Sequence, residues 1–419
     1  TLSAAQAYPA RMITSGPAGG ALAVQRLAKA TAHPSLLGVD MGGTSTDISL
    51  IHNGDVRMTT EGAIGEHPVK LPMIEINTIG AGAGSIAWLD GANGLHVGPL
   101  SAGSEPGPVA YGRGGTEPTV TDANLVLGRL HPDRFAGGQM SLDLEAARQA
   151  LTDKTAKPLG LLVEEAAAGI IRIANANMEK AIRVSSAEKG YDPRNITLVA
   201  FGGAGPMHAA ALAKAVSIPT VLVPNQPGVF SAVGLVMADI RHDFVESRIL
   251  RRQQMTVESL GPLYAALEQS ADEALTEDGI PPGDRQLRRS ADLRYVGQAY
   301  EVNVPAPDGV LDGAAIEATV QRFHELHQQL YAHNHPDKAV EFVSGRVAAI
   351  GLTSAPPLGK LKLGGRAAPP REGRPVYFEE SGGFVDTDVV DRGTLGPGST
   401  LTGPAIIEQV DSTTVIHPQ

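Results

Sequence analysis

Residues 196–223 constrain the fold more than any other stretch. They read as an apolar strand, ITLVAF, a glycine turn, GGAGP, a helix-forming run, MHAAALAKAV, and a second strand, TVLVP. Pro206 falls in the first helical turn, where a missing N–H costs nothing. A strand-to-strand crossover of this length requires parallel strands, so this part of the chain is an α/β layer. Gly202, Gly203 and Gly205 then lie at the carboxyl edge of a parallel sheet, where ligands bind in such folds. The spacing is not a dinucleotide fingerprint, because His208 stands where a third glycine is needed, and no Gly-Lys-Ser/Thr follows as in a P-loop. Close packing of helix on strand is the plain alternative for these glycines. His208 is read either as a ligand contact or as a helix-start histidine bonded to nearby backbone.

The second constraining segment is LLGVDMGGTSTDISLI, residues 36–51, a strand, a glycine turn and a second strand. Gly42 and Gly43 permit backbone angles that a side chain forbids. Backbone N–H groups there, beside the hydroxyls of Thr44, Ser45 and Thr46, form an anion cradle. Asp40 and Asp47 flank the cradle with hard oxygen ligands suited to Mg²⁺. A simple hairpin in which Asp and Thr only cap is the competing reading. Ser15–Gly20, SGPAGG, opens a helix and offers further backbone donors.

The rest of the chain organises around these two segments. IAWLD-GANG-LHVG reads as a hairpin. Residues 100–120 form a long Gly/Pro loop, a length that in a compact domain usually carries function. Its Tyr111 and Arg113 are candidate substrate contacts. Asp122 and Asn124 are expected to cap a helix, ANLVLGRL, and Asp122 and His208 are candidate substrate contacts alongside Tyr111 and Arg113. Helices are expected over 141–156, with Ser141 as N-cap, and over 162–190, stopped by Gly190. Beyond residue 250 the pattern gives a helix (256–278), a strand (293–305), a helix (314–331), a strand (342–353), a Pro/Gly connector (355–372) and short terminal strands. Three regions follow: 1–248, 249–360 and 361–419. His324, His327, His333 and His335 invite a metal reading, but no His-Glu-x-x-His pattern accompanies them, and a structural role is the simpler one.

Composition excludes several functions. The formal charge is −11 with no basic block, unlike a nucleic-acid binder. With no cysteine, disulfide scaffolds, thiolate metal sites and cysteine nucleophiles are ruled out, and a reducing cytoplasm is the expected compartment. No run of about 18 apolar residues suggests a membrane span, and no signal peptide opens the chain. The 49 glycines and 30 prolines point to many tight loops.

Taken in order, SGPAGG (15–20), GVDMGGTSTDISL (38–50), TIGAGAGSIAWLD (78–90), the 97–130 segment, FGGAGPMHA (201–209), LRYVGQAYEV (293–302) and GPAIIEQVDSTTV (403–415) resemble the hydantoinase A / 5-oxoprolinase family across essentially the whole chain. The resemblance implies an actin-like ATPase (RNase H-like) half with a helical insertion, followed by an α+β and a β-rich C-terminal region. It implies an ATP-dependent hydrolase of cyclic amides such as hydantoin or oxoproline, using ATP and Mg²⁺. In that reading Gly42, Gly43, Thr44, Ser45 and Thr46 hold phosphate. Asp40 and Asp47 hold Mg²⁺ or orient water, and Gly202, Gly203 and Gly205 pass close to adenosine. Family members usually carry an earlier hairpin of the same type, and none precedes Asp40. The chain, starting at Thr1, is therefore expected to be a fragment, a processed chain or a separate second half, completed by an N-terminal ATPase half and a hydantoinase B-type subunit. Related subunits serve ketone carboxylases, so a ketone substrate is the alternative. A non-catalytic actin-like nucleotide-binding module is another.

Overall fold

The structure is a computed structural model that describes residues 15–59, 62–64, 67–69, 73–307, 309–353 and 371–418. The connector expected over 355–372 lies almost wholly outside the described residues. The chain forms two compact units, one from residues 14–236 and 357–419, the other centred on 237–356.

The first unit opens with helix α1 (Ser15–Ala30), so SGPAGG is the first turns of the helix itself and not a loop before it. Strands β1 (Leu36–Met41) and β2 (Thr46–His52) form the expected hairpin, followed by β3 (Asp55–Val56). Short pairs come next: β4 (Met58–Thr59) with β7 (Met73–Ile74), and β5 (Gly62–Ile64) with β6 (His67–Val69). Strand β8 (Ile76–Ile79) pairs with β2, and β9 (Ser85–Leu89) with β10 (Leu95–Ser101).

Helix α2 (Val120–Val126) begins earlier than the sequence suggests. Its N-cap is Thr119, in a capping box with Asp122, while Asn124 sits inside the helix. Helix α3 (Leu144–Leu151) is capped by Asp143, which accepts from Ala146 N, and not by Ser141. Helix α4 (Val163–Ser185) ends before Gly190, which adopts the left-handed conformation and closes the separate 3₁₀ turn Ala187–Lys189 instead of stopping the helix. Strand β11 (Thr197–Phe201), helix α5 (Gly205–Ala215) and strand β12 (Thr220–Leu222) are the expected crossover unit, with β11 and β12 parallel. Helix α6 (Phe230–Val236) closes the stretch.

The main sheet has the order β12-β11-β1-β2-β3, with β8 also on β2. β1 is parallel to β11 and antiparallel to β2. Leu37, Val39 and Met41 point to one core, while Leu36 joins Val24, Val199 and Phe201 in a second beneath α1. Asp40 has the parity of Leu36, so its carboxylate emerges on the α1 side.

In the second unit, β13 (Ile240–Arg251), β16 (Val340–Gly351), β14 (Arg285–Tyr295) and β15 (Val302–Pro305) form an antiparallel sheet in that order. Helices α7 (Val257–Glu277) and α8 (Gly313–Tyr331) supply Leu263, Leu275 and Phe323 to its core. The single strand expected over 293–305 is two strands, because Gly297 adopts φ 87° and the chain turns there.

The last segment carries β17 (Arg371–Phe378), β18 (Gly383–Asp391), β19 (Ala405–Gln409) and β20 (Ser412–Ile416). Instead of standing apart as the 361–419 region, it folds into the first unit. Val376, Phe378, Ile406 and Val415 share the core of Leu37 and Val39. Tyr377 N donates to Leu127 O, and the Arg374 guanidinium donates to Gly128 O and Arg129 O.

Candidate active site

Antiparallel register sets Asp40 directly opposite Asp47, and Asp47 opposite Thr78 on β8. The two carboxylates therefore share one face. Ser231 on α6 donates to Asp40 Oδ2 at 2.6 Å, and Thr78 donates to Asp47 Oδ1 at 2.5 Å. Burial pushes the Asp40 carboxyl above its ordinary value; the Ser231 hydrogen bond opposes this and the nearby Asp47 charge adds to it. Asp47 is likewise raised by burial and held down by Thr78. Two half-buried acids side by side are an environment that a divalent cation would relieve. Among the described residues no group of three or more His, Cys, Asp or Glu could hold a metal ion. Two carboxylates are the share of a Mg²⁺ site that a protein supplies, the ion completing its octahedron with water and phosphate oxygens, so Asp40 and Asp47 are the residues that could hold one.

The hairpin tip is held from behind. Gly42 N–H closes the turn onto Ser45 O at 3.1 Å, Ala83 N donates to Gly42 O at 3.0 Å, and Gly84 N donates to Gly43 O at 2.6 Å. The approach is so close that a Cβ on Gly82 would come within 2.6 Å of the Gly43 carbonyl. On the outer side a Cβ at Gly42 or Gly43 would meet nothing within 4 Å, leaving space for a ligand. Of the three hydroxyls read as phosphate ligands, Thr44 and Ser45 keep exposed surface at the tip. Thr46 does not fit that reading: it is fully buried, and its Oγ1 donates to Ala81 O at 2.5 Å.

The glycines after β11 divide by role. Gly202, at φ 76°, donates its N–H to Pro227 O at 2.9 Å and packs against Asp40. Gly205 is buried against the Val39 carbonyl, the close helix-on-strand contact. Gly203 is exposed and, with Gly42, Gly43 and Met207, lines a pocket of about 260 Å³. Tyr111 and Phe135 form part of its wall, their rings 5.8 Å apart.

The loop candidates separate in the same way. Tyr111 reaches the pocket, and the Arg113 guanidinium lies 5.9 Å from its ring. Asp122 does not face a ligand. It is fully buried and accepts from Ala110 N at 2.7 Å, Thr119 N at 2.8 Å and Val109 N at 3.3 Å, fixing the loop. His208 is also inside, its Nδ1 2.7 Å from Asn175 Oδ1, and burial lowers its pKa to about 3, so the ring is neutral. In the second unit His324 and His327 are buried and bonded to Tyr295, Gln298 and the His333 carbonyl, a structural arrangement.

Sequence reading missed Ser231, Thr78 and the β19–β20 turn, whose Val410, Asp411 and Ser412 also line the pocket. Thr78 and Gly82 stand in the TIGAGAG string, a usable signal. Ser231 meets Asp40 across 191 positions and has no local signature.

A family model described as hydantoinase/oxoprolinase matches residues 1–244, and one described as its C-terminal domain matches residues 250–419. The chain belongs to the hydantoinase/oxoprolinase family. Within that family it is 37% identical to the caprolactamase subunit alpha of Pseudomonas jessenii, over 97% of this chain and 59% of that protein. The crystal structure of the ATP-dependent caprolactamase from the same organism superposes with a TM-score of 0.88 at 35% identity, over 96% of this chain and 59% of that one. 5-Oxoprolinase 1 of Arabidopsis thaliana is 34% identical over 98% of this chain and 33% of its own length. A nucleotide-free acetone carboxylase structure matches with a TM-score of 0.75 at 27% identity, over 96% of this chain and 59% of that one. The chain thus spans from a third to three-fifths of these relatives. Among the described residues no helix is long and apolar enough to cross a membrane.

Proposed function

We propose that this chain supplies one half of the MgATP site of an ATP-dependent cyclic amide hydrolase. An amide carbonyl is activated there by phosphoryl transfer before the ring opens. The observation that carries the reading is the Asp40–Asp47 pair, set opposite one another, braced by Ser231 and Thr78, and placed beside the open Gly42–Gly43 tip. Phosphoryl transfer asks a protein mainly for positioning and charge neutralisation. Backbone at the tip, with Thr44 and Ser45, would hold phosphate, and Asp40 and Asp47 would hold Mg²⁺. Gly203 would pass nearest the adenosine, with Gly202 and Gly205 shaping the turn behind it. The order β12-β11-β1-β2-β3, with an antiparallel hairpin beside two parallel strands, supports an actin-like, RNase H-like half. Relatives named as subunits support a partner of hydantoinase B type, and a facing ATPase half would complete the cleft. A reaction that consumes ATP suits the cytoplasm.

The test is ADP release by the full protein with its partner, with caprolactam, hydantoin or oxoproline as substrate. Release that depends on a cyclic amide and is abolished by Asp40→Ala upholds the reading. Release unaffected by Asp40→Ala refutes it. The acetone carboxylase likeness favours a second reading, in which a ketone is phosphorylated as its enol; release with acetone or acetophenone plus bicarbonate, and with no amide, would select it. Nucleotide binding that no substrate or partner turns over would point to a non-catalytic module.

A further inference from the structure

The SGPAGG motif has no part in the phosphate and adenosine roles, yet it shapes the site. It forms the first turns of α1, and α6 packs directly on them. The two helices meet backbone to backbone. A Cβ on Gly19 would lie 2.5 Å from Ser231 O and 2.7 Å from Leu235 Cγ. One on Gly20 would lie 2.9 Å from Ser231 Oγ and 2.9 Å from the Phe201 ring. From the other side, one on Gly234 would overlap the Gly19 carbonyl. Glycine inside a helix costs about 1 kcal/mol against alanine, so three at one crossing need a reason. The reason is close approach. Phe230 is set edge-on against Phe201 at 5.1 Å, and the next residue, Ser231, is carried to Asp40.

Among the described residues the Ser231 hydroxyl is the only hydrogen-bond donor to the Asp40 carboxylate, and it takes Oδ2. Thr78 is likewise the only donor to the Asp47 carboxylate, and it takes Oδ1. Each acid is thus held by one hydroxyl through one oxygen, and Asp40 Oδ1 and Asp47 Oδ2 are left without a donor. Asp40 Oδ1 lies against the turn at Gly202, where a side chain would overlap it. We propose that Ser231 is a positioning residue for the metal: it fixes Asp40 by Oδ2 so that Oδ1 is presented to the cation, and the glycine seam between α1 and α6 sets where that hydroxyl stands. The inference rests on the MgATP reading and gives that site a determinant from two helices outside the hairpin. The physical need is orientation. The last torsion of an aspartate is broad, so one hydrogen bond decides which way the carboxylate faces. Mg²⁺ demands near-ideal octahedral geometry and tolerates a turned ligand poorly. Hydrogen bonds to ligating carboxylates are accordingly worth about 10–100-fold in metal affinity.

The experiment is calorimetric titration of the full protein, with its partner, using ATP with Mg²⁺ and ATP in EDTA. It compares wild type, Ser231→Ala, Gly20→Ala, the double variant and Asp40→Ala. The readout is the factor by which Mg²⁺ tightens ATP binding. Ser231→Ala should cut that factor about tenfold or more and leave metal-free ATP unchanged. Gly20→Ala, whose methyl displaces Ser231 with its hydroxyl still present, should cut it similarly. The double variant should lose no more than Ser231→Ala alone, because both changes break one contact. Ser231→Ala only removes an atom, so it carries the test should Gly20→Ala fail to fold. Equal losses with and without Mg²⁺ in Ser231→Ala mark a purely structural serine. That result, or no loss at all, overturns the proposal and leaves the nucleotide reading standing, provided Asp40→Ala still abolishes the Mg²⁺ effect. A wild-type factor in a folded Gly20→Ala overturns the part given to the seam. ATP binding that neither Mg²⁺ nor Asp40→Ala alters removes the MgATP reading and this proposal with it.

Discussion

Gly202 and Gly203 are neighbours in one glycine-rich turn, yet alanine should have opposite consequences at the two positions. At Gly202 the backbone is left-handed, φ 76°, which costs an L-residue about 1–2 kcal/mol. A Cβ there would also overlap Asp40 Oδ1 and the Met41 carbonyl, with the Met41 carbonyl carbon only 2.8 Å away. The Met41 group is held, since its oxygen accepts from Ala204 N at 3.0 Å, so relief must come from shifting β1 against β11. Overpacking of this kind costs about 1–3 kcal/mol, for a total of roughly 2–5 kcal/mol. At Gly203 φ is not positive, and the nearest atom to a Cβ is Asp411 O at 3.8 Å, an ordinary contact. Gly203→Ala should lie within about 1 kcal/mol of wild type and could gain stability through the unfolded chain. In a body of this size 1 kcal/mol moves the melting temperature by about 2–4 °C. Thermal unfolding should therefore drop roughly 5–15 °C for Gly202→Ala and hardly at all for Gly203→Ala. MgATP binding should also suffer at 202, because Asp40 is displaced. Melting temperatures for the two variants within about 2 °C of each other would refute the geometric reasoning.

Gly82→Ala should drive the Gly43–Thr44 peptide forward and weaken nucleotide binding about tenfold, read as a higher KM for ATP. Asp40→Asn should abolish MgATP binding yet stabilise the fold at neutral pH. The folded carboxyl is raised above its unfolded value, so its ionised form burdens the native state as pH rises through the folded pKa, and the gain from Asn should vanish as pH falls below about 4. A melting profile in which Asn lowers stability at pH 7 would contradict that sign. His208 stays neutral down to a pKa of about 3. Below about pH 6.5 the unfolded chain takes up a proton that the folded chain refuses, so stability falls with pH across that window. His208→Gln should flatten the acid slope by up to about 1.4 kcal/mol per pH unit, and identical slopes in a denaturation series would count against it.

The sequence alone determined the elements whose causes are local. The β1–β2 hairpin and the β11–α5–β12 crossover are written in adjacent apolar runs, glycine turns and one proline, so their existence and the opposition of Asp40 to Asp47 were legible. The ordered motif set identified the family for the same reason. Capping was less legible, since Thr119 and Asp143 compete with near neighbours of similar chemistry. Tertiary structure decided which polar groups face a ligand and which face the core. Thr46, Asp122 and His208 turn inward because their partners, Ala81, the 109–119 backbone and Asn175, arrive from other segments. It also brought Ser231 onto Asp40 and folded the last strands against α5, where Ser412 meets the pocket. Burial and hydrogen bonding depend on what surrounds a residue in space, and no local pattern records contacts made across hundreds of positions.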